Sequence, residues 1–287
     1  MDNYITLTSD GSLNLFPANR IGAFRSKLPH PIAVDRTKCE IGLHSITFPN
    51  KLPNIVNGFF KLRVFKKRVP YETTVNGMIL EFDDGARDLL ESAGLNIATG
   101  FYSSPSDLVV ALNEQIQELN FEDEDLNLKH IQSDFGIVRF TYSEQTELIT
   151  IEPMSSEIYE VQLKLSEELF IKLGMGLDVN EGRIIKVPKT AKHIVDLDVG
   201  HASVFVYSDL VEKNRIVGGQ ITELLAVVPL TCDHNKFCHY APVNVEYRSI
   251  RYDLIEEIQI NLLGDTGQVL PFMAGKTVIT LHIKDKF

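Results

Sequence analysis

The 287-residue chain contains no apolar run approaching the ~18 residues needed to cross a bilayer. Its opening, MDNYITLTSDG, has neither the basic nor the apolar region of a secretory signal, so none is expected. Cysteine is scarce. Cys39, Cys232 and Cys238 are too few for a disulfide scaffold and odd in number, which predicts reduced thiols and a reducing compartment. Basic charge is short as well: 28 Lys and Arg against 39 Asp and Glu leave a formal net charge of −11. A protein that coats nucleic acid needs a basic surface to displace counterions, so no direct nucleic-acid partner is expected. The one concentrated basic stretch, KLRVFKKR (61–68), alternates with Leu62 and Val64 and predicts the solvated face of a strand.

Signatures of catalysis and cofactor binding are incomplete or missing. Gly275-Lys276-Thr277 ends like a phosphate-binding loop, but the glycine required five residues earlier is Leu270, and Gly267 lies three residues too far upstream. Such a loop must also open a helix. Here Val278, Thr280 and His282 alternate with Thr277, Ile279, Leu281 and Ile283, a strand pattern, so GKT is a turn. There is no G-x-S-x-G elbow and no H-x-H of a cupin metal site. The segment CDHNKFCH gathers Cys232, His234, Cys238 and His239, and thiolates with imidazoles suit zinc. Its C-x-H-x3-C-H spacing is unusual and no second pair closes a tetrahedron, so a polar loop is the expectation and these four stay a weak metal candidate. Asp123, Asp125 and Asn127 alternate as in an EF-hand, but Leu128 stands where glycine is needed and Asp134 where glutamate is needed. No catalytic residue, cofactor site or enzymatic activity is expected.

What the chain does have is a globular composition, 44% hydrophobic and 23% charged. Its length suits one elaborated domain or two small ones. Strands dominate. Tyr4–Thr8 and Ser12–Phe16 flank the turn Asp10-Gly11. A long strand over 38–48, with Ile41 and Leu43 on one face and His44, Ile46 and Phe48 on the other, stops at Pro49-Asn50. Shorter strands follow over 59–65 and 77–82, and a helix is expected at 86–92.

The clearest helix is SSPSDLVVALNEQIQEL (103–119). Ser104 is placed to cap it, Pro105 fits its first position and Asp107 can complete a capping box. Leu108, Leu112, Ile116 and Leu119 fall on one face. After the acidic run 121–127 come a hairpin (135–142 with 147–153), a strand (158–165) and a short helix capped by Ser166 and ended by Gly174. From Gly182 onward GRIIKVP, HIVDLD, ASVFVYSDL, ITELLAVVPL, IEEIQINLL and TVITLHI read as strands between turns. Many short strands with turn signals indicate a sandwich or barrel.

Four stretches together resemble the minor capsid, or penton, proteins of Polinton (Maverick) elements and virophage-like viruses. In 19–50, Asn19, Phe24, Leu28, Pro29, Pro31, Glu40, Gly42, Leu43, Ile46 and Pro49 match the family's opening. GFYSSPSDLVVALNEQI (100–116) is similar to its "G-Y-Y-S-x-P-x-x-L-x-x-x-L-N" helix start. LSEELFIKLGMG (165–176) is similar to "L-S-x-x-L-x-x-x-L-G-F", with Met175 in place of the aromatic. VFVYSDLVEKNRIVGGQITELLAVVPL (204–230) and the tail 253–283 carry the rest, through Asp209, Gly218, Gly267, Pro271, Phe272, Gly275 and His282. Ala226 replaces a common Arg, Leu263 and Gly264 precede Asp265, and CDHNKFCH is particular to this chain.

The resemblance implies a mainly β protein, a single jelly-roll sandwich built from 1–70 and 190–287, with an α+β insertion over 71–189. It implies a homopentameric penton at the five-fold vertices of an icosahedral virion, assembled inside the host cell and contacting trimers of a double jelly-roll major capsid protein. On that reading the insertion is the candidate for binding a host surface ligand, and GDTGQVLPF is a turn between the last two strands. The competing reading from the residues alone is a monomeric β-sandwich module that binds glycan or peptide.

Overall fold

The computed structural model describes residues 2–66, 72–75, 78–81, 89–91, 94–117, 138–154, 159–176, 183–198, 202–265 and 267–286. The chain divides into two compact units, Met1–Pro53 with Asp198–Phe287, and Asn54–Leu197. The first unit opens with β1 (Asp2–Thr8), β2 (Ala23–Ala33) and β3 (Cys39–Pro49). The second contains β4 (Phe59–Lys66), β5 (Glu72–Val75), β6 (Met78–Glu81), β7 (Leu89–Glu91), β8 (Leu95–Asn96) and α1 (Pro105–Gln117). It continues through β9 (Val138–Ser143), β10 (Leu148–Pro153), β11 (Tyr159–Leu165), α2 (Glu167–Lys172), β12 (Ile184–Lys186) and β13 (Lys189–Thr190). The chain then returns to the first unit with β14 (Ser203–Ser208), β15 (Arg215–Val217), β16 (Gln220–Thr222) and β17 (Leu224–Pro229). β18 (Phe237–Tyr240), β19 (Tyr247–Ser249), β20 (Leu254–Leu263) and β21 (Val278–Asp285) complete it.

The first unit is a jelly roll. One antiparallel sheet has the order β1-β21-β3-β18, with β19 also on β3, and the other runs β17-β14-β20-β2. Lettering the strands B to I in chain order, with β18 and β19 together as G and the β15–β16 ribbon left out, gives B-I-D-G and C-H-E-F. Alternation puts Ile279, Leu281 and Ile283 of β21 into the core with Val206, Ile258, Ile260 and Leu262 from the facing sheet. The second unit lies within the D–E connection. Its residues 59–65, expected in the jelly roll, pair instead with β11, β7 and β8, so the boundaries fall at Asn54 and Leu197 rather than at 71 and 189. Its core gathers Phe60, Leu62, Phe140, Ile149, Ile151 and Leu163 with the buried face of α1.

Local departures from the sequence reading have physical causes. Ile41, Leu43, Ile46 and Phe48 are all buried, although strict alternation splits them between two faces. The ladder with β21 skips His44, passing from Ser45 opposite Thr280 to Leu43 opposite Leu281. One bulged residue restores the inward face. Residues 12–16 form no strand: Leu15 and Phe16 N–H both bond back to Ser12 O, in a turn. Residues 89–91 are not helical but extended, taking the free edge of β4. HIVDLD joins no ladder, because its amides go elsewhere: His193 to Gly174 O, Val195 to Glu147 O and Asp196 to Lys172 O. The EF-hand-like residues 123–134 lie outside the described residues.

Both helices follow their capping signals. Ser104 Oγ accepts from Asp107 N–H (3.2 Å), and the Asp107 carboxylate takes the Ser103 hydroxyl, its pKa lowered by that bond and by the Ser104 backbone N–H to which a capping box reaches back. Leu108, Leu112 and Ile116 are buried as expected, joined by Val109, and Leu119 lies outside the described residues. Ser166 caps α2. Gly174 follows at φ 70, where an added Cβ would sit 2.1 Å from His193 O.

Candidate functional site

The segment 232–239 forms the loop between β17 and β18 and the first residues of β18. Cys232 and Cys238 are joined as a disulfide, with Cα atoms 5.4 Å apart. Both sulfurs are thereby taken, which corrects the expectation of three reduced thiols. Cys39 stays free and buried, and its thiol pKa is raised by burial and by Asp285. The four candidate ligands do not converge. His239 Nδ1 is 2.9 Å from Thr47 Oγ1 on the neighbouring strand, and burial lowers the His234 imidazole below its ordinary value. No group of three or more metal-ligating side chains occurs among the described residues. The loop is instead tied to Asn50. Asn50 N–H donates to Lys236 O (2.7 Å), its side-chain amide donates to Cys232 O (2.8 Å), and its carbonyl accepts from Asn235 N–H (2.7 Å).

The positions that carry the family resemblance are packing and edge devices. Asn19 Oδ1 accepts from Arg25 N–H (2.9 Å) and its Nδ2 donates to Arg25 O (2.8 Å), so one side chain stands in for a strand beside the β2 edge. Pro29 and Pro31 fall where the β2–β20 register shifts, between Lys27 and Ile32, on an edge strand that tolerates missing N–H groups. At Gly42 a Cβ would lie 2.4 Å from Val245 Cγ1 and 2.9 Å from Glu246 O. At Gly275, φ 109, it would lie 2.8 Å from Pro49 Cγ, which couples two distant motif residues. Gly275 sits in the approach to β21, which itself begins at Val278. Gly267 has φ 76 in the turn closed by Gly267 N–H to Gly264 O, as the GDTGQ segment predicts.

Asp209, in the DLV motif after β14, accepts from Gln259 N–H at 2.9 Å. Burial raises its carboxyl pKa above the ordinary value, against the opposing pull of that hydrogen bond and of Arg25 and Arg251.

Sequence reasoning missed a polar cluster on the outer face of the β1–β21–β3 sheet. His282 Nδ1 meets Tyr247 OH at 2.7 Å, its Nε2 meets Asp2 Oδ1, and its ring stacks on Tyr4 at 4.3 Å. A carboxylate only accepts, so Nε2 donates to Asp2, while the other ring nitrogen is held by the tyrosine hydroxyl, whose pKa burial raises. With both nitrogens and a face engaged, the imidazole cements β1 to the sheet and has nothing left to offer a substrate. Its only sequence signal was His282 as a motif residue.

Charge is divided unevenly between the units. Residues 54–197 carry 24 acidic and 14 basic side chains, net −10, and the jelly-roll segments carry 15 and 14, net −1. Among the described residues no helix is long and apolar enough to cross a membrane.

Fold and surface together define a class: a single jelly roll whose D–E connection holds a second compact unit. No family profile and no curated protein matches the chain. Among solved structures, the crystal structure of the mavirus penton protein is similar with a TM-score of 0.50 at 10% identity, covering 100% of each chain. The resemblance read from the sequence thus meets a likeness of fold that runs end to end.

Proposed function

We propose that this protein is a structural capsid protein, a penton, five copies of which close a ring at the vertices of an icosahedral virion. The observation that carries the reading is the B-I-D-G/C-H-E-F jelly roll with its D–E insertion, alike along both whole chains to the mavirus penton protein. Heterologous contacts between identical copies close rings, and jelly-roll units of net charge −1 approach one another with little net repulsion. The ring's outer neighbours are trimers of a double jelly-roll major capsid protein, and assembly takes place inside the host cell. The insertion, net −10, is the part that meets the exterior and a surface ligand. The role is structural, not enzymatic.

Co-expression with a double jelly-roll major capsid protein tests this. Closed shells with density for this chain at every five-fold position, and open vertices when it is omitted, are expected. Shells that close fully without it would overturn the reading.

A further inference from the structure

Between β14 and β17 the chain leaves the jelly roll as the two-stranded ribbon β15–β16. Two strands of three residues are marginal in water by themselves. The register sets Ile216 opposite Ile221, and these side chains are 74% and 64% exposed. A directly opposed pair of β-branched residues is the kind of unit that stabilises a sheet by packing on something. The turn is Gly218-Gly219, both at positive φ, so the ribbon's reversal is fixed locally.

The ribbon is rooted firmly. Val211 bridges Ile250, Glu212 N–H bonds to Ser249 O (3.1 Å), and Arg251 N–H bonds to Leu210 O (2.8 Å). Arg215 pairs with Glu246 at 2.6 Å and Lys213 with Glu223 at 3.4 Å. Lys213, Arg215 and Glu223 are therefore matched within the molecule, and residues 216–222 carry no charge. Val243, in the segment that joins β18 to β19 and holds Glu246, is 99% exposed.

An uncharged apolar tip gives nothing to a polyanion, an anionic lipid surface or a strongly charged peptide. It needs an apolar seat, and the jelly roll, whose 15 acidic and 14 basic side chains nearly cancel where the insertion is net −10, exposes such side chains at Leu13, Leu15, Phe237 and Leu254. We infer that the Ile216–Ile221 face of the ribbon, extended by Val243, seats on the jelly roll of a second copy and is a principal subunit contact of the ring. The inference rests on the ring reading above and names the surface that builds it.

The double variant I216T/I221T keeps β-branching while removing apolar surface, and sedimentation velocity reads its mass beside the unchanged protein. The expected result is a ring for the unchanged chain and a dissociation constant at least about tenfold higher for the variant, at an unchanged melting temperature. Val243→Ser, outside any strand, gives a smaller shift in the same direction and serves if the double variant folds poorly. Rings of undiminished stability in both variants overturn the inference and leave the ring reading standing. If the variant rings are intact but fail to enter shells, the face meets the major capsid protein, and the second-copy assignment is wrong. If the unchanged chain forms no ring, alone or with a major capsid protein, both readings fall.

Discussion

Three asparagines perform the same task at different places. Asn19 brackets the N–H and C=O of Arg25, Asn54 those of Tyr102 (2.8 and 2.9 Å), and Asn113 of α1 those of Phe140 in β9 (both 2.9 Å). Each satisfies two backbone groups that a neighbouring strand would otherwise have met. Asn113→Ala should therefore cost about 1–3 kcal/mol in urea denaturation, whereas a surface change such as Glu144→Ala should not. Asp209 gives a prediction with a sign. Its folded-state pKa is raised, so the protonated form favours folding, and stability declines as pH rises from the ordinary aspartate value through the raised one. Asp209→Asn keeps the acceptor for Gln259 N–H without the buried charge. It should match or exceed the unchanged protein at pH 7 and flatten that part of the pH profile. Asp209→Ala strands the amide and should lose about 1–3 kcal/mol. An Asn variant less stable than Ala would contradict this account.

At the scale of elements, helices were the most legible. Ser104, Pro105, Ser166 and Gly174 are local signals whose chemistry needs only near neighbours: α1 begins by the first two and α2 begins and ends by the others, whereas 86–92, expected helical without such a cap, is extended at 89–91. The strand faces of β3 were misread because a bulge at His44 depends on its partner β21, more than 230 residues away in sequence. The disulfide was equally invisible, since pairing Cys232 with Cys238 depends on how the loop folds back upon Asn50. Replacing both cysteines by serine should cost about 2 kcal/mol through lost restraint on a short loop, read as a lowered denaturation midpoint that reductant reproduces in the unchanged protein.

Lys172 was not singled out by any motif. Its buried ammonium donates to Asn54 O and Leu197 O (3.1 Å), the first and last residues of the inserted unit, with Glu168 3.8 Å away. Glu168 in turn accepts from Val56 and Asn57 N–H. Lys172→Met should destabilise the inserted unit by about 3 kcal/mol or more, because it leaves two carbonyls and a carboxylate without their shared cation. Hydrogen exchange should show faster opening around 54–57 and 195–197.

For the whole molecule, the sequence made the jelly roll and an insertion expected, and the unit division moved the seams to Asn54 and Leu197. Composition alone concealed the charge division, because −11 averages an acidic insertion with a near-neutral jelly roll. If the ring closes through jelly rolls, five insertions bring roughly fifty negative charges into one assembly, and salt relieves their repulsion. Raising ionic strength from about 0.05 to 0.5 M should then tighten the ring. A ring held by intersubunit ion pairs would loosen instead.

The most direct test of the central claim is the mass of the purified protein in solution. A closed ring of 32.3 kDa chains predicts one discrete species of about 160 kDa, five times the chain. A protein that stays at the mass of one chain across a wide concentration range, and also when mixed with a major capsid protein, would contradict it.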